Sequence, residues 1–198
     1  MKITPLSIEG AWEIAPVVHG DRRGRFVEWF RQDLFTETVG HPMLLAQGNL
    51  SVSAKDVVRG IHFADVPPSQ AKYVSCVRGA VLDLVVDLRV GSESFGTWEF
   101  VRLDDEQHRS VYVSEGLGHG FVALTDDAML HYCVSATYNP EHEHTVHPLD
   151  PDLGIDWPAE VPVLSARDEA APSLAEALES DLLPKYEECI AYTSSLSG

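Results

Sequence analysis

Short apolar runs, each closed by glycine, proline or a polar turn, recur along most of this chain and limit its fold more than any other feature. Leu45 to Ser53, Val57 to Phe63, Gln70 to Val77, Val81 to Leu88, Gly96 to Leu103 and Ser110 to Val113 are strand-length segments rich in β-branched and aromatic residues. Phe121–Leu124 and Met129–Ser135 read as a hairpin pair joined by Thr125-Asp126-Asp127. The opening, roughly residues 3 to 18, suggests one or two further short strands, and Phe26, Glu28 and Phe30 alternate onto one face of another. Residues 32–39 read as a short helix. Many short strands at near-regular spacing predict an all-β jelly-roll sandwich with short helices. The pattern changes at Ser173, where Leu174, Leu178 and Leu182 take helical spacing after a serine cap and Pro184 ends the run. One domain over 1–198 is expected, with a core at about 3–170 and a helical tail at about 173–198.

Charge removes several functions. A formal charge of −17 and a pI near 4.7 argue against a general binder of nucleic acid or anionic membrane. No apolar run approaches the roughly 20 residues of a membrane span, and the N-terminus lacks the pattern of a signal peptide. Cys76, Cys133 and Cys189 are odd in number and widely spaced, so they read as reduced packing thiols, which suits a cytoplasmic location.

Against that background the polar residues inside strands stand out. In Val57-Val58-Arg59-Gly60-Ile61-His62-Phe63, strict alternation places Gly60 and His62 on one face and Arg59 and Ile61 on the other. If Arg59 and His62 serve one pocket, the strand must bend or bulge, which Gly60 would allow. By itself His62 reads as a core or rim residue. Gln47, Asn49 and Ser51 share a face that is either a polar outside or a ligand-binding inside. Gly20-Asp21-Arg22-Arg23-Gly24-Arg25 makes a local basic loop in an acidic chain, either a solvated turn or a site for an anion. Asp83 and Asp87 lie among valines and read as structural, hydrogen-bonded or rim-facing carboxylates.

Taken with Lys72, His119 and Tyr132, these residues form an ordered series of motifs. They are Gly20-Asp21-Arg22-Arg23-Gly24 with Glu28, Gln47-Gly48-Asn49, Arg59-Gly60-Ile61-His62-Phe63 and Gln70-Ala71-Lys72. The series continues through Gly118-His119-Gly120-Phe121, Tyr132, Tyr138 with Glu143, Asp150-Pro151 to Trp157-Pro158, and Leu164-Ser165-Ala166-Arg167-Asp168. In this order the chain resembles the dTDP-4-dehydrorhamnose 3,5-epimerase family, which acts on nucleotide-linked 4-keto-6-deoxy sugars. The resemblance runs from about residue 5 to about residue 175. It implies a jelly-roll (cupin-like) homodimer working without a metal or other cofactor. It also implies His62 as general base with Asp168 as its buried partner, and Tyr132 as the acid on the opposite sugar face. Lys72 would sit near the C4 oxygen, and His119 with Arg59 near the diphosphate. Tyr138 would stack on thymine, and Gln47, Asn49, Glu143 and Arg167 would complete the nucleotide and sugar contacts. Arg23, Phe26 and Glu28 are the remaining substrate-binding candidates, with Arg23 and Glu28 reaching across from the partner subunit.

The residue types suit that chemistry. A C4 ketone acidifies the hydrogens at C3 and C5, so inversion needs a base, an opposing acid and a cation or donor at the enolate oxygen. Departures from the family pattern are small. Gly116-Leu117-Gly118 stands where many relatives have Gly-Phe-Ala, Ala64 follows Phe63 where Gln is common, and Cys133 follows Tyr132 where Lys is common. They leave the number of inverted centres open. Two alternatives compete: a metal-dependent cupin and a non-catalytic sugar-nucleotide binder. The first wants a His-x-His pair, but Phe63 and Ala64 follow His62. His142, His144 and His147 read as surface residues rather than a zinc site. Retention of base, aspartate and acid together argues against the second.

Overall fold

The computed structural model describes residues 1–197. In chain order the strands are β1 (Lys2–Pro5), β2 (Ala11–Ala15), β3 (Val18–Asp21), β4 (Gly24–Val27), β5 (Gln47–Ser53), β6 (Val58–Ala64), β7 (Lys72–Arg78), β8 (Ala80–Val86), β9 (Trp98–Asp104), β10 (Ser110–Val113), β11 (Gly118–Ala123), β12 (Ala128–Val134) and β13 (Glu143–Thr145). Helix α1 spans Gln32–Val39. Three more, α2 (Ala166–Glu169), α3 (Leu174–Glu179) and α4 (Tyr186–Ser195), follow the last strand. A six-stranded sheet has the order β1-β2-β10-β7-β12-β5 and a five-stranded sheet the order β13-β6-β11-β8-β9. All the pairings within them are antiparallel. The expected all-β jelly-roll sandwich is the observed architecture. No helix among the described residues is long and apolar enough to cross a membrane.

Three apolar clusters hold these layers. Val74, Cys76, Val81, Val85, Val111, Val113 and Leu130 fill the space between the sheets. On the far side of the five-stranded sheet, Leu84, Val86 and Val122 pack against Val146, Leu153, Trp157, Ala177 and Leu183 from the C-terminal third. On the far side of the six-stranded sheet, Ile14, Tyr73 and Tyr112 are covered by Phe35 of α1. Strand β8 is therefore buried on both faces, which is why its sequence reads as a nearly continuous apolar run. Fully burying one such Val or Leu contributes roughly 1.5–3 kcal/mol. The three cysteines are free and buried.

Three local expectations need correction. Phe121–Leu124 and Met129–Ser135 do not form a hairpin. Strand β11 is paired on its two edges by β6 and β8, and β12 by β5 and β7, so the two lie in opposite sheets. The Thr125-Asp126-Asp127 turn crosses between the sheets. It is tied to β8 by the Leu124 N–H donating to the Ala80 carbonyl at 2.9 Å and the Ala80 N–H donating to the Thr125 hydroxyl at 3.0 Å. Phe26 and Phe30 do not share a face either. Strand β4 ends at Val27, leaving Phe26 65% exposed while Phe30 packs at the edge of the Phe35–Tyr73 cluster. Finally, the helix after Ser173 is shorter than the leucine spacing suggested. Ser173 and Glu176 form a capping box that starts α3, but the helix stops at Glu179, and Leu182 reaches the core from the following turn.

Candidate active site

The site is built on β6. Gly60 has a φ of 129°, and a Cβ there would lie 2.7 Å from the Gly120 Cα and 2.8 Å from the His119 carbonyl oxygen. Only glycine fits both the conformation and the space. Across this contact His119 faces His62 and Phe121 faces Arg59, so three steps on β6 match two on β11. The extra residue is a β-bulge. It overrides strict alternation and turns Arg59 and His62 toward one pocket, as the sequence required if they were to act together.

That pocket has a volume of about 360 Å³ and opens between the sheets. Its walls are Gln47, Asn49 and Ser51 of β5, Arg59 and His62 of β6, Lys72 of β7 with Gln70 before it, His119 and Phe121 of β11, and Leu130 and Tyr132 of β12. Tyr138, Glu143 and Arg167 form its rim. The amide-bearing face of β5 thus points inward, and Leu50 and Val52 are left exposed on the outside. A larger groove of about 840 Å³ lies beside α4, lined by Glu9, Ser92, Ser94, Lys185 and Glu188 among others. It is the more open of the two, and most of the candidate residues from sequence line the smaller one.

Within that pocket His62, His119 and Lys72 each have a defined hydrogen-bond partner. His62 Nε2 lies 2.8 Å from Asp168 Oδ1, with the imidazole half-exposed and the carboxylate buried. Burial pushes the Asp168 carboxyl up, but the hydrogen bonds from His62, Ser165 and the Gly60 N–H outweigh it and hold the group below the usual range. The short helix α2 presents Asp168 because the Ser165 hydroxyl caps it, accepting from the Asp168 N–H at 3.1 Å. His119 Nε2 sits 2.9–3.0 Å from both oxygens of Asp83, which is fully buried; burial drives that carboxyl up, and His119 pulls it back. Lys72 Nζ donates to Gln70 Oε1 at 2.9 Å. Burial lowers the ammonium to about 8, opposed by Glu143 and Glu115. Tyr132 is raised by burial, with Arg59 opposing, so its hydroxyl keeps its proton through neutral pH. Gln47 links Asn49, through Nε2 to Oδ1 at 2.7 Å, to the Tyr138 N–H, which donates to Gln47 Oε1 at 2.9 Å. Glu143 accepts from Gln70 at 3.1 Å, and Arg167 donates to the Glu143 carbonyl at 2.9 Å.

The structure thus brings together His62, Asp168, Tyr132, Lys72, Gln47, Asn49, Arg59, His119, Tyr138, Glu143 and Arg167. It does not bring in Arg23, Phe26 or Glu28. Arg23 and Phe26 sit in a surface depression of the β3–β4 ribbon, Arg23 paired with Asp21, and Glu28 lies 3.6 Å from Arg31. Four wall residues were not singled out as ligands from sequence: Gln70, Ser51, Phe121 and Leu130. Ser51 carried a signal, since it alternates with Gln47 and Asn49. Asp83 was read as structural and is hydrogen-bonded, yet it also orients a pocket histidine; an acid inside a valine run was its only signal. Asp87, its neighbour on the sequence, pairs instead with buried Arg89 at 2.9 Å. His142 and His144 both bond to Asp65, at 2.9 and 2.7 Å.

A buried carboxylate–histidine pair, a protonated phenol and an ammonium around one cavity can move a proton next to a carbonyl and hold the charge that results. The comparisons agree with that chemistry. The profile of the family described as dTDP-4-dehydrorhamnose 3,5-epimerase matches residues 5–176. A dTDP-4-dehydrorhamnose 3-epimerase from Streptomyces niveus is 60% identical over 98% of this chain and 93% of its own length. A dTDP-4-dehydrorhamnose 3,5-epimerase from Mycolicibacterium smegmatis is 57% identical over 99% and 97%. Among solved structures, a 3'-monoepimerase from Streptomyces bikiniensis in complex with dTDP-quinovose superposes with a TM-score of 0.95 at 52% identity, covering 98% of both chains. With the sandwich, the pocket and these matches in agreement, the chain is an isomerase-type enzyme belonging to the dTDP-4-dehydrorhamnose 3,5-epimerase family.

Proposed function

We propose that the protein inverts C3, C5 or both in a dTDP-4-keto-6-deoxyglucose substrate, for dTDP-rhamnose or a related deoxysugar. The observation that carries this reading is the convergence of His62, hydrogen-bonded to Asp168, with Tyr132 and Lys72 on one 360 Å³ pocket. His62 takes the proton next to the C4 ketone, and the ionised Asp168 stabilises the imidazolium that forms. The electron pair moves onto the C4 oxygen, where the Lys72 ammonium meets the developing charge. Tyr132 returns a proton from the other face. Arg59 and His119 take the diphosphate, Tyr138 stacks on the thymine, and Gln47, Asn49, Glu143 and Arg167 contact the nucleotide and sugar. No step calls for a metal or redox cofactor. The test is NMR of dTDP-4-keto-6-deoxyglucose incubated with the protein in D2O. Deuterium is expected at C3, C5 or both; its absence from both would overturn the reading in favour of a sugar-nucleotide binder.

The working unit in this reading is a homodimer in the cytoplasm. The exposed β3–β4 ribbon supports the first half, since it carries Arg23 and Phe26 away from their own pocket. The three free, buried thiols suit a reducing compartment. In the dimer, Arg23, Phe26 and Glu28 complete the partner's site. An Arg23→Ala chain and a His62→Asn chain, each nearly inactive alone, should then complement each other on mixing. Random two-fold pairing leaves about one quarter of the sites intact. No recovery after verified subunit exchange would show that each chain uses its own ribbon.

A further inference from the structure

Among the described residues, the buried aspartates are held by cations or backbone N–H groups, while Glu115, just after β10, makes no ion pair. Asp83 is held by His119, Asp87 by Arg89, Asp104 by Arg102 and Asp168 by His62. Glu115 is 2% exposed, makes no ion pair, and its Oε2 has no hydrogen-bond partner. Lys72 is the matching case among cations. It is 8% exposed, and its ammonium donates only to the neutral amide of Gln70. A buried charge left alone costs several kcal/mol, so an unpaired anion and an unpaired cation buried close together each offset what the other costs.

The fold sets them at neighbouring strands. Strand β10 runs antiparallel to β7 with Val113 opposite Lys72, and Glu115 follows two residues after Val113. It emerges beside Ala71 in a cavity of about 50 Å³ that is separate from the substrate pocket and is closed by Tyr192 of α4 and Leu196 after it. His41 Nε2, the Ser69 hydroxyl and the Tyr112 hydroxyl line the same cavity, each buried without a protein partner. Burial raises the Glu115 carboxyl, and this polar lining together with His41 works against that rise.

We propose that Glu115 is a positioning residue: from behind β7, without touching substrate, it is a second buried counter-charge that joins Glu143 in keeping the Lys72 ammonium protonated. This rests on the reading above, in which Lys72 faces the enolate oxygen. Burial of Lys72 is what makes a counter-charge necessary, and the groups that line the pocket with it are mostly cationic or neutral. Arg59 and His62 come from β6, His119 from β11 and Arg167 from α2, while Tyr132 of β12 is neutral. Glu143 of β13 and Glu115 are the two carboxylates that act on Lys72. Burial lowers Lys72 to about 8, and both carboxylates raise it. Burial raises Glu115 in turn, while its own N–H, His41, Lys72 and Thr193 lower it. Removing the Glu115 charge disfavours the ammonium, so the Lys72 midpoint falls and the alkaline limb of activity moves to lower pH.

The experiment is ¹³Cε-lysine NMR of the full chain, whose four lysines are Lys2, Lys55, Lys72 and Lys185; Lys72→Arg identifies the Lys72 signal. In Glu115→Gln the Lys72 midpoint should fall by about one unit, with roughly a tenfold loss of kcat/KM on the alkaline side. The other three lysines should not move, and Glu115→Asp should restore most of the shift. An unchanged Lys72 midpoint in Glu115→Gln overturns the proposal. If the midpoint falls but the alkaline limb stays, the hold of Glu115 on Lys72 stands and the placement of Lys72 at the oxyanion fails. Should the glutamine variant not fold, carboxyl ¹³C NMR of the wild type decides, because a protonated Glu115 at neutral pH cannot be a counter-charge.

Discussion

His62→Asn should lower turnover by about 10²–10⁴-fold, the usual cost of losing a positioned general base, while dTDP binding stays close to wild type. Deuterium exchange at C3 and C5 should fall with turnover, because proton removal is the step lost. Asparagine is the right replacement. Asp168 is buried, and a side chain with no donor would leave its carboxylate without the hydrogen bond His62 now makes at 2.8 Å. The Asn amide can still donate there, so a loss of activity will not simply report a destabilised site. Circular dichroism and dTDP binding check the fold, and single-turnover kinetics reads the chemical step. A variant that retains near wild-type turnover would remove His62 as the base.

Tyr132→Phe should separate exchange from inversion. The ring stays, and with it the packing of Tyr132 against the core between the sheets. Only the phenolic proton is deleted, and burial keeps that proton in place at neutral pH. In the variant, His62 still removes the hydrogen next to the ketone, and Lys72 still holds the enolate. With no acid opposite, the enolate is reprotonated by His62 on the face it left. In D2O the substrate therefore gains deuterium while little inverted sugar forms. The ratio of deuterium incorporated to product formed, read by mass spectrometry and NMR on one reaction, should rise steeply. A packing role alone predicts that exchange and inversion fall together or not at all. An unchanged ratio removes Tyr132 as the acid.

Most of the strands could be read from the chain alone, for a physical reason, whereas the pocket residues stood out only through the motifs that resemble a family, since His62 by itself read as a core or rim residue. A strand writes its burial into its own residues with a period of two. The alternation of Gln47, Asn49 and Ser51 against Leu50 and Val52 told which residues share a face. It could not tell which face met the pocket, because the apolar side is the one left exposed. Alternation likewise says nothing about which strand lies alongside. Strands β11 and β12 are neighbours in sequence yet belong to opposite sheets, since the edges of each are taken by strands distant in the chain. The β6 bulge belongs to the same class. Sequence allowed it at Gly60, but the close approach of Gly120 and the register against β11 decided that Arg59 and His62 would face together. The pairing of Asp83 with His119, and the position of Glu115 behind Lys72, also come from register between strands. A local pattern carries no record of long-range register, so only the assembled sheets could decide these contacts.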